Sequence, residues 1–296
     1  MKLVVDQRQL VTCHRLVKLC DYVYAENIWH GGKFNTYMYD IARSIQNDGR
    51  KCVSIYCKID FIDKLFSTLK RFPQKRFVLV TGMSDYPVTT QMFNARPPNV
   101  VYWFGENIRH SDAILESVPL GCTDVTWIGD VEYADLSNHP RYVKYTPNEG
   151  RGEQINLMFS CFTVGTNAEH RTVVAEAFKH HPWVTFAENI APMEFLRNID
   201  SHPFVLCPLG NGDDTGRFWQ ALYLGSIPVV PRHKNIEFYE GKLPMVVFND
   251  PSEITKERLE MELQTFEKVK PTYEVATMDY WRSRIANKVR EHTTTQ

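Results

Sequence analysis

The chain has 296 residues, 43% of them hydrophobic, and a formal net charge of −1. That length suits one large domain or two medium ones, and the near-neutral charge excludes an overall basic field for nucleic acid. No apolar run approaches the ~18 residues that span a bilayer, and charges interrupt the N-terminal region where a signal peptide needs an apolar core. The seven cysteines are scattered without a C-x-x-C pair, which is typical of reduced thiols in a cytoplasmic protein.

The first half of the chain alternates between strand and helix patterns. Strands are predicted at residues 21–25 and 53–57, and apolar residues at helical spacing predict a helix at residues 34–46 between them. Gly31 and Gly32 lie in the loop before that helix. A second helix is predicted at residues 60–71, and further strands at residues 77–80, 99–104 and 125–128. This alternation predicts a parallel sheet with helices on its faces.

Three titratable side chains follow the predicted strands of this half. His30 lies in the loop after the first strand, Asp85 in the loop after residues 77–80, and Glu106 directly after residues 99–104. Ligands of open α/β sheets gather at the carboxyl ends of the strands, so these three are the candidates for acid–base chemistry. Each of them taken alone is also explained as a surface or capping residue.

A polar stretch at residues 139–154 predicts the domain boundary. It holds two prolines and two glycines and no apolar periodicity. We therefore expect an N-terminal domain over residues 1–150, a C-terminal domain over residues 151–275 and a terminal helix within residues 276–296. The second domain is predicted to begin with a strand, helix, strand and helix, at residues 155–162, 169–179, 183–186 and 192–199.

The most informative stretch covers residues 204–231. An apolar run at residues 204–207 predicts a buried strand, a helix follows at residues 217–224, and a second buried strand at residues 227–230. Gly225 is expected to end the helix in a left-handed conformation. Strand, loop, helix and strand form one right-handed crossover unit of a parallel sheet.

The loop of this unit, residues 209–216, has the composition of an anion site. Asp214 and Thr215 are typical N-cap residues, and a helix N-terminus offers free N–H groups and a partial positive charge. Arg217 adds a forked donor suited to phosphate. The glycines that would let the backbone approach a ligand are Gly210, Gly212 and Gly216. The stretch fits neither G-x-G-x-x-G nor the Walker pattern. The alternative is a well-capped crossover in which Arg217 pairs with Asp213 or Asp214.

The same stretch resembles the donor-binding segment of exostosin-like glycosyltransferases, whose pattern is roughly C-P-x-G-x-G-x-D-T-x-R-x-W-E-A-L-x-x-G-x-I-P-V. The matching positions are Cys207, Pro208, Gly210, Gly212, Asp214, Thr215, Arg217, Trp219, Ala221, Leu222, Gly225, Ile227, Pro228 and Val229. The resemblance covers roughly residues 155–250. It implies the α/β GT-B fold, in which two Rossmann-like domains face a cleft and the second binds a nucleoside-diphosphate sugar, with a UDP-type donor favoured.

The resemblance also implies roles for single residues. It places the donor at residues 210–217, with Arg171 as a second diphosphate contact and Gly31 and Gly32 facing the cleft. Arg171 is equally explained by pairing with Glu169 or Glu176. The family has Glu at the position of Gln220, where the carboxylate is implied to hold the donor ribose; an amide can bond to a diol without charge. The basic residues 232–234 are a further candidate contact.

The predicted function is an inverting, metal-independent transfer of a sugar to a hydroxyl of a saccharide. Asp85 is the preferred general base, before Glu106 and His30. No permanently bound cofactor is expected, and Asp213 and Asp214 are adjacent, so their side chains point apart and do not suit a metal. One alternative is a phage-type enzyme that glycosylates hydroxymethylated pyrimidine in DNA. Another, which Gln220 favours, is a non-catalytic nucleotide-sugar-binding protein. The terminal helix is expected to cross back to the first domain.

Overall fold

The computed structural model describes residues 9–30, 33–37, 40–122, 156–268 and 273–294. Within them the chain forms two α/β domains, each built on a mainly parallel sheet, as the sequence predicts. Gly31 and Gly32, the polar stretch at residues 139–154 and the strand predicted at residues 125–128 lie outside the described residues.

The first sheet has the strand order β2-β1-β3-β4-β5-β6. All neighbouring strands are parallel except β1 and β2, which are antiparallel. The two central strands β3 and β4 are buried on both faces, as parallel strands covered by helices must be. The strands β1–β6 are Tyr22–His30, Lys33–Tyr37, Cys52–Lys58, Arg76–Gly82, Val100–Gly105 and Leu115–Ser117, and the helices α1–α4 are Cys13–Val17, Ile41–Asn47, Ile62–Leu69 and Thr90–Asn94.

The helix predicted at residues 34–46 is wrong in its first half. Residues 33–37 form β2, which pairs antiparallel with β1, and the helix α2 begins only at Ile41. Asp40 caps this helix by accepting a hydrogen bond from the Arg43 amide at 3.1 Å. The apolar spacing of residues 34–38 satisfied a helical pattern, but strand pairing with β1 supplies backbone hydrogen bonds that the local pattern does not reveal.

The second sheet has the strand order β11-β10-β9-β7-β8, and all its pairs are parallel. The crossover unit is as predicted: β9 leads into the loop and α7, and Gly225 ends α7 with φ 84°. The strands β7–β11 are Met158–Cys161, Val184–Ala187, Phe204–Leu206, Ile227–Pro231 and Val246–Phe248, and the helices α5–α9 are Ala168–Phe178, Pro192–Ser201, Gly216–Leu224, Lys234–Glu237 and Lys256–Lys268.

The last helix, α10 (Met278–Thr294), lies against the first domain. Trp281 packs edge-on against Phe104 of β5 with ring centroids 6.2 Å apart. Arg284 forms an ion pair with Glu116 of β6 at 2.6 Å. One buried core cluster contains residues of both sheets together with α7 and α10. The two domains are therefore joined by continuous apolar packing as well as by polar contacts.

Candidate functional site

A cavity of about 540 Å³ opens at the carboxyl end of β7 and the N-terminus of α7. Parallel α/β sheets hold their ligands at this edge. Among the described residues, those that line the cavity all belong to the second domain. They are Cys161, Phe162, Thr163, Val164, Arg171, Glu188, Asn189, Ile190, Phe195, Thr215, Gly216, Arg217 and Gln220.

Arg171, on the first turn of α5, presents a guanidinium to this cavity. The side chain is 5% exposed, and its Nε and one terminal nitrogen donate to the carbonyls of Leu209 at 2.7 Å and Thr163 at 2.8 Å. Burial, together with the nearby Arg217, lowers the pKa of Arg171 to about 10. No ion pair joins it to a carboxylate in the described residues, so the alternative pairing with Glu169 or Glu176 is not what holds it.

Arg217 is the second guanidinium of the cavity and lies on the first turn of α7. It lies over the ring of Phe195 at 5.8 Å, and its Nε is buried without a hydrogen-bond partner. Burial lowers the pKa of Arg217. The alternative pairing with Asp213 or Asp214 is wrong, because both carboxylates are held by other groups.

The cavity therefore concentrates positive charge. Glu188 also lines it, but within the described chain no ion pair links Glu188 to either arginine. Burial lowers the pKa of both guanidiniums, and the charge of Arg217 lowers the pKa of Arg171 further, so an anion in the cavity would compensate both cations. The open N-terminus of α7 adds to the field, since the Thr215 side chain makes no capping hydrogen bond.

Gln220 lies one turn further along α7, on the same side as Gly216 and Arg217. It is 4% exposed and lines the cavity, and its Nε2 is buried without a partner. A buried amide donor that bonds to nothing costs about 1–3 kcal/mol. A ligand atom that accepts a hydrogen bond at this place would recover that free energy.

Of the three glycines at residues 209–216, Gly216 lines the cavity, whereas Gly210 and Gly212 do not. The Gly210 amide donates to the Gly212 carbonyl at 3.0 Å. A Cβ built on Gly212 would lie 2.8 Å from Nδ2 of Asn107, which belongs to the first domain. The Asp214 amide donates to Oδ1 of the same Asn107 at 2.7 Å. Of residues 209–216, only Thr215 and Gly216, at the entry of α7, line the cavity.

Asn107 and Arg109 are interface residues that the sequence analysis missed. Arg109 forms a two-pronged ion pair with Asp213, with Nε and one terminal nitrogen donating at 2.8 and 2.7 Å. Their position in the sequence could have indicated a role, because both residues follow the carboxyl end of β5 directly, beside Glu106. Their partners lie more than 100 positions away, at a distance where sequence spacing carries no information.

Glu106 is not placed to act as a base in this conformation. It is 2% exposed, its Oε2 accepts from the Met83 amide at 3.0 Å, and its Oε1 has no partner. Burial, and next the charge of Asp214, raises the pKa of Glu106 well above its ordinary value. A Cβ on Gly82 would lie 2.3 Å from Oε1, so the carboxyl fits only because residue 82 is glycine. A carboxyl that is enclosed in this way, and whose ionised form burial disfavours, is poorly placed to take a proton from an acceptor.

The other two base candidates lie in different settings. Asp85 is exposed, in the loop after β4. That loop is tied to the domain interface, because the Ser84 carbonyl accepts from Nδ2 of Asn107 at 3.2 Å. His30 ends β1, six residues past the last pairing of β1 with β3 at Tyr24, and nothing is described of its side chain. Asp85 does not line the cavity.

The substitution Glu106→Gln tests the protonation of Glu106. We expect a free energy of unfolding at pH 7 within about 1 kcal/mol of wild type, because a neutral amide replaces a neutral acid of the same shape. Urea denaturation measures it, and Glu106→Ala is the matched control, with an expected loss of about 2–3 kcal/mol from the cavity it leaves. A Gln variant as unstable as the Ala variant would mean that the ionised form is needed.

The basic cluster at residues 232–234 lies away from the cavity. Arg232 is paired with Glu240 at 2.8 Å, and Lys234 is paired with Glu237. Burial lowers the pKa of His233 to about 4, so this ring is neutral. None of the three residues lines the cavity, and a contact of this cluster with the diphosphate stays a prediction. In the described part of the chain no three His, Cys, Asp or Glu side chains are grouped as metal ligands.

Comparison with known proteins gives a distant likeness only. No family model and no curated protein matches the chain. Among solved structures, UDP-GlcNAc 2-epimerase from Methanocaldococcus jannaschii aligns with TM-score 0.38 and 9% identity, over 85% of this chain and 80% of that one. The apo structure of OtsA aligns with TM-score 0.38 and 8% identity, over 85% and 72%. A likeness of this size does not speak about activity. No helix in the described ranges is long and apolar enough to cross a membrane.

Proposed function

We propose that the protein is a glycosyltransferase whose second domain binds a nucleoside-diphosphate sugar, with a UDP-type donor favoured. The observation that carries the proposal is the pair of arginines, Arg171 and Arg217, that share one cavity without an ion pair to a carboxylate among the described residues. Burying two like charges is unfavourable unless an anion offsets them. A diphosphate carries negative charge that offsets two guanidiniums, and its oxygens accept hydrogen bonds in the forked geometry in which guanidiniums donate.

The same groups would serve the chemical step. As an acceptor hydroxyl attacks the anomeric carbon, its oxygen–carbon bond forms while the bond from that carbon to the diphosphate oxygen breaks. The electron pair leaves on the diphosphate, where Arg171, Arg217 and the N-terminus of α7 stabilise the developing charge. The acceptor proton goes to a base, for which the exposed Asp85 is the proposed residue. We propose inversion at the anomeric carbon and a saccharide acceptor.

Gln220 gives the proposed donor site a neutral contact. The exostosin-like family has Glu at this position. An ionised Glu accepts hydrogen bonds but cannot donate them. The amide of Gln220 accepts through Oε1 and donates through the unpartnered Nε2, so it can bind one hydroxyl that donates and one oxygen that accepts. A ribose diol offers both. Binding without turnover would instead support the non-catalytic protein that the sequence analysis kept as an alternative.

A thermal-shift comparison of nucleotides tests the proposal. UDP at ~100 times its dissociation constant should stabilise the protein by about 2.7 kcal/mol, whereas uridine, which lacks phosphate, should have little effect. ADP, GDP and CDP are run beside UDP to identify the base. Arg232→Ala is the matched control, since Arg232 pairs with Glu240 outside the cavity and its loss should leave the shift unchanged. If no nucleoside diphosphate stabilises the protein, the proposal fails.

A further inference from the structure

We propose that Asn107 and Arg109 of the first domain are positioning residues for the donor cavity, although neither lines it. They hold the loop residues 212–214, and α7 with Arg217 starts directly after that loop. The inference rests on the proposed function. The inference goes beyond the proposed function because it makes nucleotide affinity depend on contacts made by the opposite domain.

The first contact is the ion pair between Arg109 and Asp213. Two parallel hydrogen bonds, of 2.7 and 2.8 Å, fix the direction of the carboxylate as well as its distance. The side chain of Asp213 is 6% exposed, whereas that of Arg109 is 54% exposed. Because solvent screens the half-exposed Arg109, this ion pair is expected to add less to global stability than a fully buried pair would. Its main effect is therefore expected on the local placement of residue 213.

The second contact is made by Asn107, which is held in an uncommon conformation. Its φ is 52°, in the left-handed region, where asparagine is tolerated better than most residues. In this conformation Oδ1 accepts from the Asp214 amide at 2.7 Å while Nδ2 donates to the Ser84 carbonyl at 3.2 Å. The side chain lies so close to Gly212 that no Cβ fits there. Strained residues held by several contacts are frequent at functional sites.

The link from this loop to the helix runs through Asp214. Its carboxylate accepts from the Leu120 amide of the first domain at 2.9 Å and from Nε1 of Trp219 at 2.9 and 3.0 Å. Trp219 lies on α7, two residues after Arg217. Hydrogen bonds thus run without a gap from the end of β5 to the helix that presents Arg217 and Gln220. Displacing the loop would tilt or shift the N-terminus of α7.

The test measures UDP affinity by isothermal titration calorimetry in Arg109→Ala, Asn107→Ala and Arg109→Lys. We expect the two alanine variants to bind UDP about 10-fold more weakly, within the range of couplings between contacting residues. Lysine should restore part of that loss, because it keeps the charge but not the two-pronged geometry. Asp213→Ala combined with Arg109→Ala should bind no more weakly than Asp213→Ala alone, because the two residues act through one contact.

The matched control is Ser117→Ala, which removes a different hydrogen bond between the domains. Ser117 donates to Oδ1 of Asn235 at 2.6 Å, and Asn235 also accepts from the Ile108 amide at 3.4 Å, but in the described chain neither Ser117 nor Asn235 hydrogen-bonds to residues 212–214. Its UDP affinity should equal that of wild type, and urea denaturation confirms that each variant is folded. If wild type binds UDP and the Arg109 and Asn107 variants bind it equally well, the inference is overturned while the proposed function stands. If the thermal-shift comparison identifies another base, that nucleoside diphosphate replaces UDP in the titration. If wild type binds none of UDP, ADP, GDP and CDP, the proposed function fails and the inference with it.

Discussion

Replacing Arg217 by methionine is expected to weaken UDP binding about 100-fold without lowering the free energy of unfolding. Hydrogen bonds to charged groups contribute about 1.5–3 kcal/mol, and each 1.4 kcal/mol is a factor of ten in affinity. Among the described residues, however, the buried Nε of this guanidinium has no hydrogen-bond partner. An apolar side chain of similar length avoids that desolvation, so the variant should unfold at equal or higher urea concentration.

The control for this substitution is Arg284→Met, at an arginine that has a structural partner. Arg284 is paired with the buried Glu116, and its removal leaves that carboxylate uncompensated. We expect a loss of about 2–4 kcal/mol in unfolding free energy and no change in UDP affinity. Calorimetric titration and urea denaturation on both variants separate the two roles. If Arg217→Met instead destabilised the fold and kept UDP affinity, Arg217 would be structural and the donor site would lie elsewhere.

The crossover unit around α7 could be predicted because its signals are local. An apolar run forms β9, Gly225 supplies the left-handed residue that ends the helix, and Arg217 and Gln220 fall on one helical side. Each of these features depends on residues within a few positions of one another, which is the range over which spacing constrains geometry. The cavity lies where that pattern and the rule for parallel sheets point.

The roles of Gly212 and Glu106 could not be predicted, because both depend on distant chain segments. Gly212 lies in a loop whose composition is typical of a phosphate site. In the structure, however, its lack of a side chain makes room for Asn107 of the other domain. Glu106 follows a strand and reads as an exposed base, but Gly82 on the neighbouring strand lets its carboxyl turn inward. In both cases the role depends on packing against residues distant in the sequence. A motif shows only that a glycine or an acid is present at a position, not what that residue packs against.

The structure also explains why the loop is rich in aspartate. Asp213 and Asp214 are adjacent and point to different partners, the first to Arg109 and the second to Leu120 and Trp219. Neither is used to neutralise Arg217, which leaves that guanidinium available to a ligand. The acids that the sequence offered as partners of Arg217 thus fasten the loop to the first domain instead.

Asp214→Ala is expected to give the largest loss of stability, about 4 kcal/mol at pH 5, where most of the Asp214 carboxyl is protonated because burial raises its pKa to about 6. The change leaves the Leu120 amide and the Trp219 indole N–H buried without their acceptor, at about 1–3 kcal/mol each, and removes one polar link between the domains. Urea denaturation measures the loss. Ser252→Ala, in the exposed turn at Asp250, is a control expected to stay within about 1 kcal/mol of wild type.

The pH dependence of the same residue gives a second, independent readout. Burial raises the pKa of Asp214 from 3.8 to about 6, so between those values the folded protein binds more protons than the unfolded one. The contribution of this group is therefore full below pH ~4 and falls by up to about 3 kcal/mol as the pH rises through 6. Asp214→Asn cannot titrate and should lose this slope while keeping one acceptor oxygen. If wild type and Asp214→Asn showed parallel stability profiles from pH 4 to 7, Asp214 would be ionised throughout, and the interface would tolerate a buried charge better than its surroundings suggest.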